Sequence, residues 1–189
     1  MFQQFYDRQE LFSIIRNTCE ENEIGADIHP GLFLGNDPDS DRVLILKLDA
    51  HYHTKNMALP PPSPDYLVLV KCCNGEYEGH IVELRNVSEV KYASAKVIEK
   101  KFKTAAKFIE EDFRDVFFDN EVFRLRKLKM LLVTDPLRLK NKNLSENEIR
   151  VRMGTTALDA YGGLMPIRIG GHACQIEVKL PNPIIEPCH

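Results

Sequence analysis

The sequence predicts an α/β fold, a small mixed sheet flanked by helices with a β-rich C-terminal extension. Three features point to it. An apolar-periodic run opens the chain, three runs of branched residues follow between residues 42 and 85, and a helical period then leads into one more strand. The 189 residues suffice for one domain with a real core, or for a domain with a small appendage. They divide into a core over 1–139 and an extension over 140–189.

From Phe2 to about Asn22, Phe5, Leu11, Phe12, Ile14 and Ile15 suggest a helix that Gly25 stops. His29-Pro30-Gly31 and Asn36 to Asp41 are turn chemistry, and Arg42–Leu48 is strand-like. Pro60, Pro61, Pro62 and Pro64 mark His51–Pro64 as an exposed loop, because proline donates nothing to a ladder. Asp65–Lys71 and His80–Arg85 are two further strands, and Asn74-Gly75-Glu76 turns the chain between them as a hairpin. A helix capped by Ser88 then carries Val90, Val97, Phe102, Ala105, Ile109 and Phe113. Lys127–Thr134 is a fourth strand, ended by Asp135-Pro136. The Gly-rich stretch from Ile149 to Leu180 has short apolar runs that suggest added β structure.

Hydrophobic residues make up 43% and charged residues 28%, which excludes disordered and fibrous classes. A net charge of −3 means that any nucleic-acid binding needs basic residues gathered on one face. Cys19, Cys72, Cys73, Cys174 and Cys188 are odd in number and form no CxxC pair, so a zinc site is not expected. The first residues lack the basic start and apolar run of a secretory signal, and no apolar stretch is long enough to span a bilayer. These features predict a cytoplasmic protein in a reducing compartment, without a membrane partner.

The candidate chemistry lies in two carboxylates. Asp65 opens one strand of the hairpin and Glu83 lies within the other. Period-2 alternation puts Ile81, Glu83 and Arg85 on one face, where the two acids can converge. Close carboxylates repel unless a divalent cation neutralises them, and oxygen ligands suit Mg²⁺ or Mn²⁺. Glu83 also stands among Ile81, Val82 and Leu84, where burying a charge is costly without a function. Taken singly, Asp65 can be a turn cap and Glu83 a solvated strand residue.

Pro64-Asp65, 17 intervening residues, then Glu83-Leu84-Arg85, within an αβββαβ order, resembles the PD-(D/E)xK nuclease superfamily over roughly residues 1–135. The family's usual lysine after the acid is Arg85 here, which holds phosphate but cannot act as a base. A narrower resemblance is to the N-terminal cap-snatching endonuclease domains of segmented negative-strand RNA virus polymerases, several of which place the lysine on the following helix. That resemblance implies a divalent-metal-dependent endonuclease cleaving RNA, working with the rest of a viral polymerase. It implies catalysis by Asp65, Glu83 and Lys96, and a metal held by Asp65, Glu83, the Leu84 carbonyl and His29. Arg85, Lys91 and Lys100 would contact substrate. A DNA-cleaving restriction-type nuclease and an inactive nucleic-acid-binding member are the alternatives.

Other features have two readings. Lys96, Lys100, Lys103 and Lys107 share a helical face; for Lys103 and Lys107 a solvated face balanced by Glu99, Glu110 and Glu111 is expected. His51 and His53 are alternatives to His29 as metal ligands, or simply loop residues. Glu20, Glu21 and Glu23 offer a third acid or solvated charges. Asp159 with Glu177-Val178-Lys179 repeats the acid spacing, but no helix follows it, so it is treated as a decoy.

Overall fold

The computed structural model describes residues 2–21, 24–54, 58–85, 94–119, 122–135, 144–148, 151 and 165–188. Ser88, Lys91, Asp159 and residues 140–143 of the predicted polar stretch 140–148 lie outside them.

The chain is mixed α/β, built on one six-stranded mixed sheet whose strands lie side by side in chain order. They are β1 (Ile15–Arg16), β2 (Val43–Lys47), β3 (Tyr66–Lys71), β4 (Tyr77–Arg85), β5 (Leu125–Thr134) and β6 (Ile176–Lys179). The first three pairings are antiparallel; β4–β5 and β5–β6 are parallel. The predicted hairpin is β3–β4, with Gly75 in its turn at φ 84°. A parallel β4–β5 pair needs a long crossover, and a helix supplies it.

The helices are α1 (Gln3–Tyr6), α2 (Gln9–Phe12), α3 (Leu48–Thr54), α4 (Ala95–Lys107) and α5 (Arg114–Phe117). A π-helical turn, Phe108–Asp112, joins α4 to α5. The opening segment is therefore not one helix to Asn22. It breaks after Phe12, and Ile15 leaves to pair with Leu46 at the sheet edge; the gain of a ladder with β2 outweighs local helix preference. Gly25 pairs with Glu20 in a small ribbon, where a side chain would meet the Cys19 carbonyl oxygen at 2.9 Å. Part of the expected proline loop is also helical: α3 carries His51, which is 2% exposed among Tyr52, Phe108 and Phe113.

Alternation along the strands divides the core in two. Leu44, Leu46, Leu67, Leu69, Ile81 and Leu132 face Phe2, Phe5, Phe102, Phe108 and Phe117 from the helices. Val43, Ile45, Val68, Val70, Val82 and Val133 face the other way. That second face is covered by Ile24, Ala26 and Leu32 and by the C-terminal residues Ile185 and Cys188. The tail is held as a strap: Ile184–Ile185 pairs in parallel with Asp27–Ile28, and a disulfide joins Cys188 to Cys72 at the end of β3. Residues predicted as extension thus join the sheet as β6 and close its second face. Among the described residues, no helix is long and apolar enough to cross a membrane.

His80 lies on the strap side of β4, 5% exposed, with no hydrogen-bond partner for Nδ1. Burial, and the cations Lys129 and Lys127 on β5, pull its pKa down to about 3. The unfolded chain then takes up the proton first, so the stability tied to neutral His80 is lost progressively as pH falls from 6.5 towards about 3. We expect the change in stability from pH 7 to pH 5 in urea denaturation to be less favourable for the wild type than for His80→Leu by roughly 2 kcal/mol, the contributions of the other groups cancelling in the comparison. An unchanged pH slope in the variant would refute this.

Candidate active site

Asp65 and Glu83 meet on the helix-facing side of the sheet. Pro64 ends the irregular stretch and Asp65 precedes β3, its main-chain nitrogen bonded to the Val82 carbonyl. Its Oδ2 accepts a 2.6 Å hydrogen bond from the Leu84 amide, which locks the carboxylate onto β4. The structure thus brings Leu84 to Asp65 through its N–H. Glu83, two residues after Ile81, points into the same face and is 0% exposed.

Cations hold Glu83. Lys101 Nζ donates to both carboxylate oxygens, at 2.8 and 2.9 Å. Arg85 Nε lies 2.8 Å from Oε1, an ion pair without hydrogen-bond alignment. Burial nevertheless pushes the Glu83 carboxyl up to about 8, with the charge of Asp65 adding to the rise and Lys101 and Arg85 opposing it. Asp65 is also raised, first by burial and then against the pull of Lys101. The two acids therefore hold on to protons together, as a pair sharing a desolvated site does.

Two further acids complete the cluster. Ligand atoms of Glu21, Asp49 and Asp65 lie within 4.8 Å of one another. Asp49 sits in the first turn of α3, immediately after β2, and the Leu48 amide bonds the Asp65 carbonyl, which brings the two acids side by side. Lys47 Nζ stands 3.5 Å from both Glu21 and Asp49 and lies over the Tyr66 ring. Asp49 Oδ1 is buried with the Lys47 ammonium at 3.5 Å and without a hydrogen bond. A buried oxygen held by one lysine beside two other carboxylates fits a hard divalent cation with oxygen ligands. A recess of about 240 Å³ opens onto Asp49, Asp65 and Lys101, walled by Pro60–Pro62 and His53.

Three expected site residues are placed differently. His29 caps the turn Pro30–Leu32, its Nδ1 accepting from the Gly31 amide and its Nε2 3.7 Å from Glu186. It is therefore not among the groups that meet Asp65. Lys96 is exposed in the first turn of α4. Lys101, five residues later, is turned about 140° around the helix axis from it, which takes it from solvent to the acids. Lys100 is exposed and lines a neighbouring recess with Tyr52, Lys103 and Lys107. Of the alternative histidines, His51 packs in an aromatic cage with Nε2 3.9 Å from Asp112, while His53 lines the acid recess. Lys103 pairs with Glu99 at 2.5 Å, as a solvated face requires.

Asp49 and Lys101 escaped the sequence reading. Lys101 did leave a signal: it lies beside Phe102 and three residues after Ile98, both fully buried, at the margin of the α4 apolar stripe.

The Lys101–Glu83 pair sets an expectation. Lys101→Met leaves a buried carboxyl without its main counter-charge. Its cost should be about 2 kcal/mol at pH 8.5, below the usual loss for a broken buried pair because Glu83 can take up a proton. The cost should shrink at pH 6, and Lys96→Met should cost nothing at either pH in urea denaturation. Equal losses for the two lysines would refute the placement. Searches of protein-family models, of curated proteins and of solved structures find no match to the chain, so the cluster of acids around Lys101 has to be interpreted on its own geometry.

Proposed function

We propose that the chain is a divalent-metal-dependent phosphodiester hydrolase acting on nucleic acid, with a core of the PD-(D/E)xK type and RNA as its first candidate substrate. One observation carries the reading: Asp65 at the head of β3 and Glu83 on the adjacent β4, with 17 residues between them, share a recessed site with Lys101 from the crossover helix and with Asp49 and Glu21. Mn²⁺ or Mg²⁺ suits this oxygen donor set. RNA, and work within a viral polymerase, rest on the resemblance of the Asp65–Lys96 region alone.

Glu21, Asp49 and Asp65 would hold the cation, because both oxygens of Glu83 are already engaged with Lys101. Bound there, a divalent cation supplies Lewis acidity to a phosphate oxygen and lowers the pKa of a water. Glu83 positions Lys101, whose ammonium neutralises charge developing on phosphate. Arg85, 27% exposed at its side chain, can hold a neighbouring phosphate while anchored on Glu83. Pro60–Pro62 narrow the recess and limit water around the acids.

A non-catalytic binding module is the second reading. It is favoured by the full neutralisation of Glu83 by Lys101 and Arg85 and by arginine at the motif's lysine position.

The test is thermal unfolding with EDTA, Mg²⁺ or Mn²⁺, for the wild type and Asp65→Ala. A cation at a hundred times its Kd stabilises by about 2.7 kcal/mol, which is roughly 5–10 °C for a chain of this size. We expect the larger rise with Mn²⁺, and its loss in Asp65→Ala. Asp65 must lose its proton to ligate, and a cation beside Glu83 favours its ionised form, so the Mn²⁺ shift should grow from pH 6.5 to pH 8.5. The stability tied to protonated Glu83 in the metal-free protein runs the opposite way. It is full below 4.5 and lost as pH rises towards about 8. Cleavage of single-stranded RNA and of duplex DNA then separates the substrates. A metal shift without cleavage selects the binding module, and no shift in the wild type sinks the metal site.

A further inference from the structure

The strap side of the sheet carries a second cluster of metal-ligating groups, remote in sequence from the acids. Cys72 at the end of β3, Glu78 on β4 and Cys188 in the C-terminal strap place one ligand atom each within 4.8 Å of one another. Cys72 and Cys188 are buried, and Glu78 is largely so. The two sulfurs are joined in this structure, with Cα atoms 4.5 Å apart across 116 residues of sequence.

The rest of the chain argues for a reduced state of this pair. Cys19, Cys73 and Cys174 are free thiols, and Cys73, exposed and next to Cys72, has its Sγ 3.7 Å from the Cys188 carbonyl oxygen. An exposed thiol beside a disulfide invites exchange, and under reducing conditions Cys72 and Cys188 are dithiol. The strap then loses its covalent anchor and keeps two buried thiols against a carboxylate. Two cations stand close, Arg126 with Nη1 3.9 Å from Cys188 Sγ and Lys129 3.5 Å from Glu78. They offset part of the charge of two thiolates and a carboxylate, and leave an excess of negative charge.

We infer that the reduced chain binds a thiophilic divalent cation, Zn²⁺ by its ligand chemistry, through Cys72, Cys188 and Glu78, and that the bound ion pins the C-terminal strap to the sheet. Two thiolates and a carboxylate are an ordinary zinc donor set, with Zn–S near 2.3 Å and a fourth position for water or Cys73. The sulfurs must separate to about 3.8 Å for tetrahedral ligation, which side-chain rotation at an already adjacent pair of residues allows. Oxidation reverses the binding. The zinc-bound dithiolate, glutathione disulfide and two protons give the Cys72–Cys188 disulfide, two glutathione thiols and free Zn²⁺. Two electrons pass from the cysteine sulfurs to glutathione disulfide.

The experiment uses the full chain, reduced with a phosphine under argon and titrated with Co²⁺ as the spectroscopic probe. We expect a thiolate-to-cobalt charge-transfer band saturating at one equivalent, displaced by Zn²⁺. The band should be absent from the oxidised protein and from Cys188→Ser, at least tenfold weaker in affinity in Glu78→Gln, and intact in Asp65→Ala. That last variant separates this site from the acid cluster. Circular dichroism checks that each variant is folded; Cys72→Ser replaces Cys188→Ser should the latter unfold. A reduced wild type without the band overturns the inference, as does a band that survives loss of either cysteine or an affinity indifferent to Glu78→Gln.

Discussion

Glu83 is a carboxylic acid in the middle of a six-stranded sheet, fully buried on the face that α4 covers. Desolvating a charge there costs several kcal/mol unless partners compensate, and the surroundings are arranged around that cost. Lys101 reaches down from α4 to both oxygens and Arg85 reaches back along its own strand. Because Lys101 must meet Glu83 while Ile98, Phe102 and Ala105 fill the core, one rotation of α4 over the sheet satisfies both demands. The helix that makes the parallel β4–β5 connection possible is thus also the element that makes a buried Glu83 tolerable.

The same pairing redistributes the roles of the acids. A carboxylate fully occupied by a lysine is a poor first ligand for a metal, but a good holder of that lysine. Asp65, tied to the Leu84 amide through Oδ2, also has a carboxylate oxygen within 4.8 Å of oxygens of Asp49 and Glu21. Lys47 occupies the space beside these two acids, much as a counter-ion would. On the proposed function the roles therefore divide between a positioning pair, Glu83 and Lys101, and the acids that would hold a cation, Glu21, Asp49 and Asp65.

How far this was legible in the sequence follows from periodicity. The strands around Leu46, Val68 and Val82 are dense in branched residues and lie where the sequence put them, and the acids Asp65 and Glu83 were conspicuous because they interrupt such runs. Lys101 was hidden by its neighbours: a helix with Lys96, Lys100, Lys103 and Lys107 offers an obvious exposed stripe, and the one lysine at the apolar margin breaks that stripe. Asp49 lay between the strand predicted to Leu48 and the loop predicted from His51, where the prolines further on concealed a helix that begins at Leu48. The failure at Phe2–Asn22 has the same root, since Ile14 and Ile15 fit a helix by apolarity and a strand edge by branching. Nothing local marked Cys188 as the partner of Cys72, because a contact across 116 residues depends on the path of the whole tail.

That path links the two faces. Glu21 belongs to a short ribbon in which Glu20–Glu21 pairs with Ile24–Gly25, and the Gly25 carbonyl accepts from the Asn182 amide. Asp27–Ile28, the next residues, pair with Ile184–Ile185 of the strap. The outermost acid of the cluster is thus carried by a segment that the C-terminal strap holds in place. Asp65 is fixed by the central strands and Asp49 by α3, so release of the strap loosens Glu21 before either of them. Local stability here follows the number of buried apolar contacts. The strap contributes few, chiefly Ile185 and Cys188, and its hold on Glu21 depends heavily on the cross-link to Cys72.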